Sequence, residues 1–332
     1  MKVLVTGGGG FLGGAIVRML LARGDEVCSF ARGTYPDLEA LGVRQFNGDL
    51  GDGEALAKAA AGCELVFHVA AKAGIWGAYA DFYRANVTGT ENVIAACRSN
   101  GISRLVYTSS PSVVFDGHDV EGGDETLPYP SRYQAHYPAT KALAERLALA
   151  ANSPELAVTA LRPHLIWGPG DNHLVPRIVA KARAGRLRRI GTRPNLVDTI
   201  YVDNAARAHL QAADRLAPGS VVAGKVYFIS NGEPLPLWEM VNRILAAADL
   251  PPVTRSVPPQ LAIALGALCE WVWGVLRLGG EPPMTRFVAH ELASAHWFDI
   301  GAARRDFGYV PEVSIEEGLL RLRDWLRQRP VS

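Results

Sequence analysis

Apolar residues follow two alternating patterns through the first half of the chain. Short runs at Val3–Val5, Glu26–Phe30, Val43–Asn47, Leu65–Ala70, Leu105–Ser110 and Val158–Arg162 read as strands, most of them near-continuous in Val, Leu, Ile and Phe. Longer segments between them have helical spacing. In Phe11–Leu21 the residues Phe11, Leu12, Ala15, Ile16, Met19 and Leu20 share one face, and Asp81–Asn100 and Ser131–Ala151 also read as helices. Strands apolar on both faces belong to a buried parallel sheet, which helices must cover on both sides. The pattern predicts an α/β fold, a doubly wound parallel sheet with a smaller C-terminal lobe.

Beyond Asp171 the alternation fails. Helices are expected at 173–184, 204–216 with Asp203 as its cap, 237–248 and 315–327, and strands at 195–202 and 225–229. Residues 1–170 are therefore expected to form a dinucleotide-binding domain and 171–332 a substrate lobe, with the chain crossing between them.

The first strand runs without a spacer into a glycine cluster, with Gly7, Gly10 and Gly13 spaced G-x-x-G-x-x-G, and a helix follows at once. Strand, glycine turn and helix are what a bound pyrophosphate requires. The turn is tight, the backbone approaches the ligand closely, and the helix N-terminus offers N–H groups and a positive dipole end. Ala70, at the end of the fourth strand, is small, as expected where backbone passes under a cofactor. The end of the second strand carries no acid to take a ribose 2′-hydroxyl, and Arg32 stands just past it. This favours NADPH, through the 2′-phosphate, with NADH the alternative.

Tyr137 and Lys141 lie four apart on a predicted helix and so share a face. Reducing a carbonyl needs a proton delivered to its oxygen. A tyrosine serves near neutral pH if its pKa is lowered, and a nearby ammonium is expected to lower it. A hydroxyl from Ser109 or Ser110, at a strand end, can hold the same oxygen. His68, inside an apolar strand, reads as a hydrogen-bonded core residue rather than a catalyst.

Formal net charge is +1 over 332 residues, which gives no reason to expect a nucleic-acid partner. Four scattered cysteines form no metal-binding group and suit a reducing compartment. Structure is expected from Lys2 onward with no leader before it, so a cytoplasmic location is expected. No metal site is expected.

Taken together the motifs resemble the extended short-chain dehydrogenase/reductases, and within them the 3β-hydroxysteroid dehydrogenase branch. The matching segments are Thr6-Gly7-x-x-Gly10-Phe11-Leu12-Gly13, Gly48-Asp49-Leu50, Asn86-Val87-x-Gly89-Thr90, Thr108-Ser109-Ser110, Tyr137-x-x-x-Lys141, Leu161-Arg162-Pro163 and Tyr201-Val202-Asp203-Asn204. Almost the whole chain is covered. The resemblance implies a Rossmann fold, Tyr137 as general acid, Lys141 as its partner and a ribose ligand, and Ser110 as holder of the carbonyl. It implies Gly7, Gly10, Phe11, Leu12 and Gly13 around the pyrophosphate, Asp49 and Leu50 beside the adenine, and Pro163 and Ile166 beside the nicotinamide. Asn86 would hold the site together rather than catalyse.

The segments Ala71–Gly77, Leu165–Asp171, Ile229–Pro236 and Arg304–Tyr309 are similar to those of branch members that reduce a 2-alkyl-3-oxo acid, and in part to sterol-4α-carboxylate 3-dehydrogenases. Reduction of a bulky 2-alkyl-3-oxo acid to its 3-hydroxy acid is the expected activity. A 3β-hydroxysteroid or sterol-4α-carboxylate dehydrogenase is the alternative. The apolar C-terminal part argues against a nucleotide-sugar epimerase, and the Ser, Tyr and Lys set against a non-catalytic binding module.

The expected partner is an apolar small molecule. Trp76, Trp167 and the segment Leu261–Leu278 are expected to line its pocket. Glu270 and Arg277 argue against a membrane span there. A polar face poor in Lys and Arg argues for burial as a lid ahead of membrane contact. The same helix is expected to offer a docking surface, through outward positions such as Trp273, to a membrane or a lipid-pathway enzyme; a homodimer is the other expected assembly.

Overall fold

The computed structural model describes residues 1–328. Among these, seven strands form one parallel sheet: β1 (Lys2–Thr6), β2 (Glu26–Ala31), β3 (Arg44–Asn47), β4 (Leu65–His68), β5 (Arg104–Thr108), β6 (Ala157–Pro163) and β7 (Val226–Ile229). Their spatial order is β7-β6-β5-β4-β1-β2-β3. The order reverses between β1 and β4. Successive side chains alternate faces. Val3 and Val5 pack with α1 (Phe11–Ala22) on one side, and Leu4 packs with Leu56 and Val93 on the other.

The second face is covered by α2 (Gly53–Ala60), α3 (Gly89–Ser99) and α4 (His136–Ala150). The first face is covered by α1 together with α6 (Val202–Arg215), which follows α5 (Leu174–Arg183). Both α6 and β7 lie beyond residue 171. The chain returns to the large sheet after β6, with Val226 opposite Ala160 and Ile229 opposite Pro163.

Several sequence expectations change. The helix expected over 81–100 contains a π-helical turn, Tyr83–Thr88, whose Asn86 carbonyl accepts from the Thr90 hydroxyl (2.6 Å). Helix α4 starts at His136 rather than near Ser131. Asp203 lies inside α6 and does not cap it; Tyr201 holds the cap position, with no side-chain bond. Trp167 is a core residue: it is fully buried, donates its indole N–H to Thr199 (3.0 Å) and meets Tyr201 edge-on.

The expected lid also differs. It forms a helix, α7 (Pro259–Leu276), but only Ala262 and Gly266 of it are buried. These two small residues seat it on α8 (Arg286–Ala293), and its large apolar side chains face away from the protein. Trp273, expected to face outward, is half-buried, and Trp271 is the outward tryptophan.

One buried ion pair joins α4 to the sheet. The Arg162 guanidinium on β6 donates to both Glu145 oxygens on α4 (2.9 and 2.6 Å), and both side chains are sealed from water. The Tyr129 hydroxyl donates to the same carboxylate (2.6 Å), and Phe228 stacks under the guanidinium. Removing one charge strands the other in a dry interior. Glu145→Ala should therefore lower stability by about 3–5 kcal/mol, read as a lower denaturant midpoint at unchanged slope. Replacing both charges, as Glu145→Leu with Arg162→Met, should recover most of that loss.

Candidate active site

A cleft of about 770 Å³ opens at the carboxyl ends of β1, β2, β4, β5 and β6, at the point where strand order reverses. Gly7, Gly10, Phe11, Leu12, Gly13, Arg32, Asp49, Leu50, Ala70, Ser110, Tyr137, Lys141, Pro163 and Ile166 all line it. The fourteen positions are scattered over the first half of the sequence, and the sheet brings them to one wall-to-wall surface.

The glycine turn shows why its residues are glycine. Gly7 has φ +71°, and a Cβ there would press on Ala70 at 3.1 Å. A Cβ on Gly13 would lie 2.1 Å from the Gly7 carbonyl oxygen. No side chain caps α1 and its first turn carries no acid, so its free N–H groups face the cleft as an anion site. This cradle fits the pyrophosphate of a dinucleotide.

A wire of hydrogen bonds fixes the floor. The Val69 and Ala70 N–H groups donate to the Thr6 hydroxyl (both 3.1 Å), which must then donate to His68 Nδ1 (2.8 Å). His68 Nε2 donates to Thr90 (3.0 Å), and Thr90 donates to the Asn86 carbonyl. His68 is thus a neutral structural link, and burial, aided by the Lys141 charge, pushes its pKa down to about 3. The Asn86 side chain holds the Lys72 backbone (2.7 and 3.2 Å) and donates to Thr140 on α4 (3.0 Å), tying the loop over the cleft to the helix that bears Tyr137.

Lys141 is buried. Its ammonium donates to the Thr108 carbonyl (2.6 Å) and sits over the Tyr107 ring. Dehydration pushes its pKa down to about 7, against an upward pull from Glu145. Burial likewise raises the Tyr137 phenol above its ordinary value; the Ser110 side chain pulls it down through hydrogen bonding, and the Glu291 carboxylate pushes it up. The expected lowering by Lys141 is therefore not what this structure shows: dehydration of the phenolate dominates, and the ammonium is turned toward Thr108. Ser110, not Ser109, is the hydroxyl acting on Tyr137. The Ser109 hydroxyl is buried with no partner.

Three features escape sequence reading. The Tyr35 ring lies over the glycine turn, so close that a Cβ on Gly9 would be 2.3 Å from it, and Gln45 pins the Tyr35 backbone through both its N–H and its carbonyl (2.9 and 3.0 Å). Leu165 takes a left-handed φ of 45° at the turn after β6, where it lines the cleft.

The third is a buried chain at the seam beside Pro163. His164 Nδ1 meets Asp198, His164 Nε2 meets His296 Nδ1 (3.2 Å), and His296 Nε2 donates to the Glu291 carbonyl (2.9 Å). Burial, and the neighbouring His164, push the His296 pKa down to about 4, so its Nδ1 is an acceptor. His164 then donates to it from Nε2. Only the weak spacing His164…Asp198…His296 could have signalled this.

Whole-chain comparisons agree with this geometry. The sequence model of the 3-beta hydroxysteroid dehydrogenase/isomerase family matches residues 4–258. A 2-alkyl-3-oxoalkanoate reductase of Stenotrophomonas maltophilia is 57% identical over 325 residues, covering 97% of this chain and 98% of the relative. A protein of the same description from Shewanella oneidensis is 52% identical, covering 96% of this chain and 84% of the relative. Among solved structures, the Thermus thermophilus UDP-glucose 4-epimerase in complex with NAD superposes with a TM-score of 0.75 at 27% identity, over 99% of this chain and 100% of that one.

The Lys141 geometry has a consequence for stability. A free lysine holds its proton up to a pKa of about 10.4, whereas the folded chain releases it near 7. Between these values the unfolded chain binds the extra proton, so folding stability should rise with pH across this window. Thermal melts of the wild type and Lys141→Met should diverge accordingly: the wild type gains on the variant from about pH 7 to 10, and the gap is flat below pH 7. The glycine turn, the Ser, Tyr and Lys constellation and the match over most of its length establish that the chain is an oxidoreductase belonging to the 3-beta hydroxysteroid dehydrogenase/isomerase family.

Proposed function

We propose that the protein is a cytoplasmic NADPH-dependent reductase of a bulky apolar 2-alkyl-3-oxo acid, giving the 3-hydroxy acid. The observation that carries this reading is the convergence of Ser110, Tyr137 and Lys141 on the same cleft as the glycine turn. The 57% and 52% identical reductases support the substrate class. A bound nicotinamide dinucleotide supplies the hydride for C3.

The chain supplies the rest. Gly7, Gly10, Gly13 and the N-terminus of α1 hold the pyrophosphate. Asp49 and Leu50 flank the adenine, and Pro163 and Ile166 the nicotinamide, above Ala70. Ser110 holds the ketone oxygen. Tyr137 gives its phenolic proton to that oxygen as it becomes a hydroxyl, and a phenol kept protonated by burial is suited to donate in this direction. Lys141, dehydrated and poised near neutrality, balances the charge left on Tyr137 and holds the ribose.

Arg32 selects the cofactor. It lines the cleft beyond β2, is exposed, and forms no ion pair among the described residues, so its guanidinium is available to a 2′-phosphate.

Turnover of a 2-alkyl-3-oxo acid with NADPH, read as cofactor oxidation with formation of the 3-hydroxy acid, is the direct test. Turnover confined to a 3β-hydroxysterol would overturn the reading. Tyr137→Phe should lose about 10²–10⁴-fold in kcat while still binding cofactor, and near-normal turnover would remove Tyr137 from the reaction. Arg32→Ala should weaken NADPH by about 10–100-fold and leave NADH nearly unchanged. Equal losses for both would make Arg32 merely structural.

A further inference from the structure

Helix α7 exposes the large apolar side chains that a protein core would normally take. Leu261, Leu265, Leu268, Trp271, Val275 and Leu276 stand out from it, Trp271 at 65% and Leu276 at 63% exposure. At about 100° per residue they share an arc of roughly 140° that contains no charged residue. The opposite arc faces the protein. A Cβ on Gly266 would lie 2.7 Å from the backbone of Thr285 and Arg286. Glu270, the one acid on α7, points inward and takes both the Arg286 N–H (2.8 Å) and its guanidinium (2.7 Å). The helix is thus fastened at Gly266 and Glu270 to the start of α8, on the side away from the stripe.

The charge around this stripe is one-sided. The whole chain is near neutral, yet residues 177–193 contain seven Lys or Arg and no Asp or Glu. Folding brings part of that run to the start of α7. The strand Arg189–Ile190 pairs with Ser256–Val257, the Arg189 N–H donates to the Arg255 carbonyl (2.9 Å), and Pro259 abuts Gly191. Arg193 is engaged by Asp119 and Glu121, and Arg177 by Glu281. Arg186, Arg188, Arg189 and Arg255 form no ion pair among the described residues, and neither does Arg277 at the other end of the stripe. An uncharged stripe of Leu and Trp bordered by uncompensated arginines is the composition of a helix that lies in a lipid interface.

We propose that α7 docks this protein on the surface of an anionic bilayer, its Leu and Trp stripe in the acyl boundary and its bordering arginines among acidic headgroups. Charge decides the occupant. A second copy related by a twofold axis would bring the same arginines against one another. A bilayer rich in acidic lipid meets them with opposite charge. Spanning is excluded by the packing of Gly266 and Glu270, since α7 would have to leave α8. The position also serves the proposed chemistry. Behind α7, α8 carries Phe287, packed edge-on against Phe115, and Glu291, whose carboxylate acts on Tyr137. An apolar acid leaving the bilayer at α7 therefore has only the depth of one helix to cross. The inference rests on the proposed function only for that last step; vesicle binding needs no turnover, so either idea can fail without the other.

The test is co-sedimentation of the full chain with phosphatidylcholine vesicles, with and without about 30 mol% phosphatidylglycerol. The wild type should partition at least about tenfold more strongly onto the acidic vesicles, and added salt should erase the difference. Leu268→Glu with Trp271→Glu should lose at least about tenfold in partitioning while keeping turnover on a short soluble 3-oxo acid. Arg188→Glu with Arg255→Glu should abolish the preference for acidic vesicles. Should either pair fold poorly, brominated lipid should quench wild-type tryptophan fluorescence in acidic vesicles. Absence of wild-type binding or quenching, or unchanged binding of the Leu268 and Trp271 pair, overturns the proposal. So does a wild-type dimer in sedimentation equilibrium that the same pair converts to monomer, because a second copy would then cover the stripe.

Discussion

Everything at the cleft depends on how α4 is held against the sheet, and the buried Glu145–Arg162 pair holds it. Helix α4 carries Tyr137 and Lys141 at one end and Glu145 two turns on; β6 carries Arg162 and ends at Pro163 on the cleft wall. Taking both charges out of water is costly, and only good geometry offsets it. Here two guanidinium N–H groups meet two carboxylate oxygens, Tyr129 fills a further acceptor site, and Phe228 covers the cation. Such a pair adds little net stability over a well-packed apolar contact, but it accepts only one register of helix against strand. The distance between the Tyr137 side of the cleft and the Pro163 side is thereby set from underneath.

Neutral histidines do similar work elsewhere in the core. His68 links the end of β4 to the π turn, and His209 accepts from Thr108 Oγ1 (2.9 Å) while donating to the Ala205 carbonyl (2.7 Å). Each has one donor and one acceptor matched to a fixed partner, so each reads as rigid spacing rather than as a switch. Thr108 is therefore anchored through its side chain by α6, while its carbonyl receives Lys141. The lysine is held dry by the same contacts that orient it, which is why its proton is loosely bound.

The second half of the chain matters to the cleft in two ways. It returns α6 and β7 to the large sheet, closing its edge, and it contributes Asp198, His296 and Glu291 to the seam beside Pro163. The contact between His164 and Asp198 ties the turn after β6 to that second half. Glu291 also acts electrostatically on Tyr137, and burial pushes its own pKa up to about 8.

The sequence by itself determined the parallel sheet, because strands buried on both faces are apolar along almost their whole length, as Val3–Val5 and Leu65–Phe67 are. It also determined the glycine turn and the Ser110, Tyr137 and Lys141 set, since their chemistry depends on local spacing at strand ends and along one helix. What the tertiary structure decided rests on contacts between distant segments. Residues 83–88 form a π turn inside a segment whose periodicity reads as one regular helix. Tyr35 covers the glycines because Gln45 pins its backbone. Trp167 is core and Trp271 is surface, although helical periodicity treats α7 as apolar nearly all round. The apparent lack of basic charge beside α7 was a property of its own segment alone. Burial and electrostatics are set by whatever the fold brings alongside, and here it brings arginines from residues 186–189, some seventy positions earlier in the chain.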